Sequence, residues 1–396
     1  MRTCFKPIVW LLGVVAVSSY SAGSDFAPKG VTQTKNEGEQ LSTFPDRKHG
    51  KGELRHEQGL SILTLRGTPA EIGEQFGVLA VKNAPSLDDL HKNFVNDAGL
   101  TKGEGFAKLQ AMRFKPSLPA DYLTEIDAMN KASKRDISLA MFANTVYDLS
   151  STMGCSTLIV EKGRSKSGNP IFGRNFDWLP TRGMREQTVL AVYHPTGKHS
   201  FAIVTMPPII GCISGMNDAG LSCTINEIHL RQSKDKSALN FEGTPMLLAY
   251  RRVLEECSTV AEAEKLLREM KRATTSCLSI CDKDGGAVFE ITPITVVVRK
   301  PTNDVCSCTN HFQSDTLGIP QKCWRIDKLN TVTTTSNKFG VNDVFSQLDD
   351  VNQGKHTIQS MVFEPAERRL HLKVGSEPAT KLAAKTFDLG KLFDAK

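Results

Sequence analysis

The chain changes texture at Gly154–Cys155. Before this bond the sequence reads mostly as amphipathic helix. After it, Ser156 to Val160 opens a strand-rich half. A small residue precedes the cysteine, and Gly173-Arg174-Asn175-Phe176-Asp177-Trp178 follows on a second strand-like run. A cysteine with a strand-borne Arg and Asp at that distance suggests a chain cut before Cys155. The new N-terminus would carry a thiol nucleophile and an α-amine base on one residue. The reference pKa of an α-amine is about 8, so it can exist as free base near neutrality and take the thiol proton. A thiolate beside a base is what acyl transfer requires. Such a site needs no histidine, and none of the nine histidines sits in a recognisable catalytic motif.

The upstream half divides by pattern. Residues 1–23 read as a signal peptide, with Arg2 and Lys6 before the apolar run Ile8 to Val17 and small residues from Ser18 to Gly23. An uncleaved anchor is the competing reading, although the run is short for a membrane span. Residues 24–58 are polar and read as a flexible leader. Residues 59–154 read as a mostly helical pro-segment. Thr68-Pro69-Ala70-Glu71 has the form of a capped helix start, with Ile72, Phe76, Leu79 and Ala80 on one face. Gly73 and Gly77 weaken that helix unless close packing needs them. Further helices are expected over 120–132 and 137–149.

Residues 155–396 form the second half. The patterning predicts hairpins over 156–176, 188–206, 276–292 and 361–374, and helices over 245–257, 260–270, 324–332 and 341–348. Asn217-Asp218-Ala219-Gly220 reads as a turn with glycine at the position that tolerates positive φ. Strands, helices, strands and helices in that order suggest sheets covered by helices.

Composition narrows the function. With 396 residues, 40% hydrophobic and 23% charged, the chain is globular. Its net charge of +6 is spread out, with no Lys/Arg block, which argues against a nucleic-acid partner. Of ten cysteines, Cys4 falls in the signal, leaving nine. An odd number in an exported protein flags one free thiol, and Cys155 is the candidate. The other eight could pair as disulfides. Cys306 and Cys308, Cys277 and Cys281, and Cys323 with His311 fit no common zinc pattern, so neither a metal nor a cofactor is expected.

Asp177 can orient the α-amine, and Arg174 can hold Asp177. Three apart on a regular strand they would face opposite sides, so a turn or bulge after Arg174 is expected. Asn226 and Asn310 end strand-like runs and are candidate oxyanion donors. Glu227 could polarise the site or pair with a cation.

Four blocks together resemble the N-terminal nucleophile (Ntn) hydrolases of the penicillin acyltransferase group, relatives of the choloylglycine hydrolases and acid ceramidase-like amidases. They are Gly67 to Gly77, Gly154-Cys155-Ser156-Thr157, Gly173 to Asp177, and Gly215-Met216-Asn217-Asp218-Ala219-Gly220-Leu221 running on to Asn226-Glu227. Cys308-Thr309-Asn310-His311-Phe312 and Arg325 follow in order. The resemblance implies an α+β fold, a four-layer αββα sandwich of two antiparallel sheets. It implies Cys155 as nucleophile, Arg174 and Asp177 as its orienting pair, Asn226 as oxyanion contact, and Asn310 and Arg325 shaping the site. It further implies self-cleavage at Gly154–Cys155, with the cleaved chains remaining associated, and a small-molecule acyl-amide substrate. An exported product without a stable membrane span after signal removal completes the expectation. A phospholipase-B-like lipid esterase would share this fold. A non-catalytic, disulfide-stapled binding protein would need Cys155 to be inert.

Overall fold

The computed structural model describes residues 44–84, 86–149, 153–228, 232–375 and 378–395. The expected signal peptide lies outside the described residues, as does the leader up to residue 43.

Two sheets carry the molecule. The large sheet contains β1 (Arg47–His49), β2 (Gly52–Glu57), β3 (Leu60–Gly67), β6 (Val189–Pro195), β7 (Phe201–Thr205), β8 (Ser214–Asn217), β9 (Ser222–Glu227), β10 (Ser276–Cys281), β11 (Gly286–Ile291) and β12 (Val296–Arg299), in that spatial order. The small sheet runs β13 (Val305–Cys308), β4 (Gly154–Val160), β5 (Ile171–Asp177), β14 (Thr357–Glu364), β15 (Arg369–Val374) and β16 (Lys385–Asp388). Every pairing is antiparallel except one. β3 lies parallel to β6, because β4 and β5 of the other sheet intervene between them in the chain.

Period-two alternation decides which side each residue serves. On β3, Leu60 and Ile62 point between the sheets, while Leu63 and Leu65 face the helices. On β4, Ile159 points between the sheets, and Leu158 and Val160 face outward. The large sheet is covered by α1 (Pro69–Phe76), α4 (Ala120–Ser133), α5 (Ile137–Leu149), α6 (Met246–Glu256) and α7 (Val260–Glu269). Between α1 and α4 the chain adds α2 (Leu87–Asp97) and α3 (Glu104–Met112), which the sequence reading did not separate. The small sheet is covered by α8 (Trp324–Asn330) and α9 (Val341–Asp349), with Val344, Phe345 and Leu348 packed on its outer face. A short α10 (Leu389–Asp394) ends the described chain. Helix, sheet, sheet, helix is the four-layer α+β sandwich.

The helix start at Thr68 forms as expected. Its side chain accepts from the Glu71 amide, and the Glu71 carboxylate accepts from the Thr68 amide at 2.8 Å. Gly73 in this helix and Gly77 just after it are packing residues. A Cβ on Gly73 would sit 2.1 Å from the Glu125 carbonyl oxygen, and one on Gly77 would sit 2.4 Å from that of Met129. α1 and α4 therefore touch backbone to backbone. Gly220 does turn the chain between β8 and β9 with φ +84°.

Residues 44–58 correct the leader reading. β1 and β2 form an antiparallel hairpin on the edge of the large sheet. Their residues are polar because most of the hairpin faces water; Phe44 and Leu54 are buried beneath it. The disulfides that the other eight cysteines could form are not present among the described residues. Cys155, Cys212, Cys223, Cys257, Cys277, Cys281, Cys306, Cys308 and Cys323 are all unbonded and buried. Apart from Cys155 they fill core positions as small apolar groups.

Candidate active site

The site forms where β4 and β5 begin and end together. Their register sets Gly154 opposite Asp177, Cys155 opposite Phe176 and Thr157 opposite Arg174. Alternation then points Cys155, Thr157 and Arg174 toward the large sheet, where Thr157 meets Ser279 of β10 at 2.8 Å. Asp177 points the other way, toward the outer helices.

Three atoms of Cys155 are held by three different side chains. Its backbone N–H donates to Asn310 Oδ1 at 2.7 Å. Its carbonyl accepts from Arg325 Nη1 at 2.7 Å. Its Sγ accepts from Arg174 Nη2 at 3.1 Å. Arg325 Nη2 also donates to Asn310 Oδ1 at 3.1 Å, and Arg325 Nη1 lies 3.5 Å from Asp177 Oδ2. Arg174, Asp177, Asn226 and Arg325 are as buried as the cysteine.

The expected pairing of Arg174 with Asp177 is corrected here. No turn or bulge follows Arg174; β5 runs regularly to Asp177. The irregularity falls instead in β14, between Thr357 and Gln359. Arg174 and Asp177 therefore keep opposite faces. Arg174 serves the sulfur and the Ile225 carbonyl, while Arg325 from α8 is the cation beside Asp177. Asp177 Oδ1 accepts from the Thr357 hydroxyl at 2.6 Å. The sequence carries no local sign of Thr357, because its place depends on the β5–β14 register.

Asn226 makes its hydrogen bond away from Cys155. Its Nδ2 donates to the Thr309 carbonyl at 3.2 Å, and its Oδ1 has no partner among the described residues. It is joined to the site through its neighbours, since Ile225 receives Arg174 and Thr309 precedes Asn310. Glu227 takes the Met153 amide at 2.7 Å, just ahead of the Gly154–Cys155 bond. Asn310 Nδ2 completes the frame by donating to the Glu227 carbonyl at 2.9 Å.

Electrostatics in the intact chain disfavour charge on the thiol. Burial pushes Cys155 up to about 12, against the opposing pull of Arg174. Burial also raises Asp177, and Arg325 opposes that rise. Among the described residues no three His, Cys, Asp or Glu side chains are placed to hold a metal ion.

Residues 164–379, more than half of the chain, match the family model described as acyl-coenzyme A:6-aminopenicillanic acid acyl-transferase. The chain belongs to that family. The acyl-transferase match takes in Arg174, Asp177, Asn226, Asn310 and Arg325 and begins after Cys155. The family is the penicillin acyltransferase group of Ntn hydrolases that the sequence blocks resemble, whose chemistry is acyl transfer and amide cleavage. No curated protein sequence matches the chain. Among solved structures it is similar to the Caenorhabditis elegans ortholog of N-acylethanolamine-hydrolyzing acid amidase. Identity there is 18%, over 53% of this chain and 93% of that one, with a TM-score of 0.43. It is also similar to a conjugated bile acid hydrolase mutant from Clostridium perfringens (13% identity, 60% and 93% covered, TM-score 0.41). Penicillin V acylase from Agrobacterium tumefaciens gives 15% identity, 59% and 85% covered, and a TM-score of 0.40.

Proposed function

We propose that this acyl-transferase family member cuts itself before Cys155 and then uses that cysteine to break a linear, non-peptide amide through an S-acyl intermediate. The observation that carries the reading is the grip on Cys155, whose nitrogen, carbonyl and sulfur are each held by a different site residue.

In the first step Cys155 Sγ attacks the Gly154 carbonyl carbon. The Gly154–Cys155 C–N bond breaks, and the thiol proton ends on the Cys155 nitrogen. Water then hydrolyses the thioester, leaving a Gly154 carboxylate and a free thiol. The nitrogen that donated to Asn310 as an amide can still donate as an amine, so the base stays where the strand places it. Arg174 stabilises sulfur as thiolate. Arg325 fixes the Cys155 carbonyl and, with Thr357, the Asp177 carboxylate. The family resemblance assigns the oxyanion contact to Asn226, whose Nδ2 donates one hydrogen to the Thr309 carbonyl and has a second N–H to offer.

In turnover the thiolate attacks the substrate carbonyl, and the leaving amine takes its proton from the Cys155 ammonium. Water or a second amine then releases the acyl group. The scheme calls for no cofactor. The two chains remain associated after the cut, because the upstream helices cover the large sheet. The sequence over 1–23 supports export, to the periplasm, the extracellular space or a lysosome.

The test is a denaturing gel with mass spectrometry. The wild-type chain is expected as two fragments, the second beginning at Cys155 and labelled there by an acylating probe. Cys155→Ala is expected to stay whole and unlabelled. A wild-type chain that remains intact rules the reading out.

A further inference from the structure

Three polar side chains meet at the end of the large sheet where β7 begins and β8 ends, on elements that the Cys155 site does not use. His199 precedes β7, Asp218 follows β8, and Ser258 lies in the turn between α6 and α7. His199 Nδ1 is 2.5 Å from Asp218 Oδ1, and His199 Nε2 is 3.0 Å from Ser258 Oγ. A carboxylate only accepts, so Nδ1 carries the ring proton. Nε2 of the neutral ring is then an acceptor, and Ser258 donates to it. A hydroxyl that donates to an imidazole, itself oriented by a carboxylate on its other nitrogen, is the arrangement that makes serine a nucleophile. No local motif marks it, because Ser258 is 59 residues from His199 and Asp218 is 19.

Further contacts hold the three in place. Asp218 Oδ2 accepts from the Ser200 amide at 3.0 Å, and the Asp218 amide donates to the Ser200 carbonyl at 2.8 Å. The His199 amide donates to the Glu255 carbonyl at 3.2 Å. Asn217 Nδ2 donates to the carbonyls of Leu254 and Cys257 at 2.9 and 2.7 Å, which ties the turn carrying Asp218 to the turn carrying Ser258. Nucleophile and base are thus kept at reacting distance by their surroundings.

The group is open to reagents. Side-chain exposure is 31% at His199 and 34% at Asp218, and Ser258 is half-buried. The Ser258 amide is engaged by Glu262 Oε2 at 2.6 Å. Of the N–H groups that a helix start leaves outside its ladder, those of Val260 and Glu262 go to Asp282 Oδ2 and Thr259 Oγ1, at 2.8 and 3.2 Å. Thr259 and Ala261 carry the other two, the amides from which an oxyanion contact would come. The Glu262 carboxylate against the serine disfavours an anionic substrate.

We propose that Ser258, His199 and Asp218 form a second, serine-based esterase site whose substrates are small uncharged carboxylic esters. Ser258 Oγ attacks the ester carbonyl carbon while its proton passes to His199 Nε2. The C–O bond to the alcohol breaks, and the alcohol leaves with that proton. Water then attacks the acyl-serine and gives a proton to Nε2. The bond to Ser258 breaks, Oγ regains the proton, and the carboxylic acid departs. Asp218 is a positioning residue that sets the tautomer of His199 and steadies the imidazolium.

The experiment uses the full chain carrying Cys155→Ala, which lacks the thiol nucleophile and so keeps this site's result apart from the reading of Cys155. A neutral fluorophosphonate is expected to add to Ser258, as located by mass spectrometry, and p-nitrophenyl acetate is expected to be hydrolysed. Adding Ser258→Ala abolishes both. Adding His199→Ala slows both by at least about 100-fold, the contribution of a general base. Asp218→Asn keeps an acceptor for the Ser200 amide but offers Nδ1 a donor, which moves the ring proton to Nε2, and it slows both by at least as much. If His199→Ala fails to fold by circular dichroism, Asp218→Asn decides by the same two rates. A cluster that only ties the β8–β9 turn to α7 would give no adduct at Ser258, and its substitutions would move the melting temperature alone. That outcome overturns the proposal. An adduct at Ser258 whose rate is the same in His199→Ala and Asp218→Asn overturns it too, since it marks an ordinary exposed hydroxyl.

Discussion

The molecule buries its arginines in two ways. Arg251 of α6 is bonded at every nitrogen. Its Nε donates to Glu255, and its Nη1 and Nη2 to the two oxygens of Glu125 at 2.8 and 2.7 Å. The aromatic rings of Tyr122, Tyr193 and Phe201 close around it. Arg174 and Arg325 at the cysteine instead hold a thiol, two carbonyls, an amide and the Asp177 carboxylate, and the Nε of each has no hydrogen-bond partner among the described residues. Asn226 Oδ1 is open as well. A cluster that only joins layers can saturate its charged groups, as Arg251 does, even though the Tyr193 hydroxyl beside it has no partner among the described residues. One that must receive a substrate keeps some capacity open, at a cost in stability. The first cluster also spans the Gly154–Cys155 bond, since Glu125 lies before it and Arg251 after it.

The largest expected effect breaks the saturated side. Arg251→Met strands the buried Glu125 carboxylate, leaves Glu255 only Tyr122 and Lys198, and should cost about 3–5 kcal/mol in denaturant unfolding. Because the pair bridges the two halves, the cleaved fragments should also separate more readily on size exclusion. A stability change under about 1 kcal/mol would put Arg251 among ordinary surface pairs.

Next comes the open side. Asn226→Ala should lower kcat by about 100-fold, in the range of a removed oxyanion donor. Its effect on unfolding should be no more than about 1 kcal/mol, the worth of the bond to Thr309. Equal losses in the two measurements would mean that Asn226 is a structural residue like Arg251.

The last effect is read as a pH slope and concerns a buried carboxylate that belongs to neither cluster. Asp148 accepts from the Met246 amide at 3.0 Å, and burial raises it to about 8. Its folded-state pKa lies above the unfolded value of about 3.9. The native chain therefore holds this proton after the unfolded chain has lost it. Stability should fall as pH rises from about 4 to about 8, by at most about 1.4 kcal/mol per pH unit, and level off above. Asp148→Asn should flatten that slope. An unchanged slope would show that Asp148 is ionised and held by the start of α6.

Local chemistry made part of this legible in sequence. Thr68 and Glu71 cap a helix whatever lies around them, because both partners sit within one turn. The β4–β5 hairpin follows from alternation on either side of a Gly/Ser turn. Cys155, Arg174 and Asp177 were found because each falls at a fixed register of that hairpin. The rule that residues three apart face opposite sides was also sound. Its proposed escape, a bulge, was the error, because the expected partner of Asp177 was sought on the same strand.

What tertiary structure decided is which distant group fills each vacancy. Arg325 reaches Asp177 from α8, and Thr357 from β14. Gly73 and Gly77 looked like weak points until α4 was seen to lie against them. The polar run over 47–57 looked like a leader until the edge of a sheet was there to receive it. Sequence fixes backbone periodicity and capping, which act over a few residues. Charge pairing and close packing act through space between segments far apart in the chain, so only the assembled layers settle them.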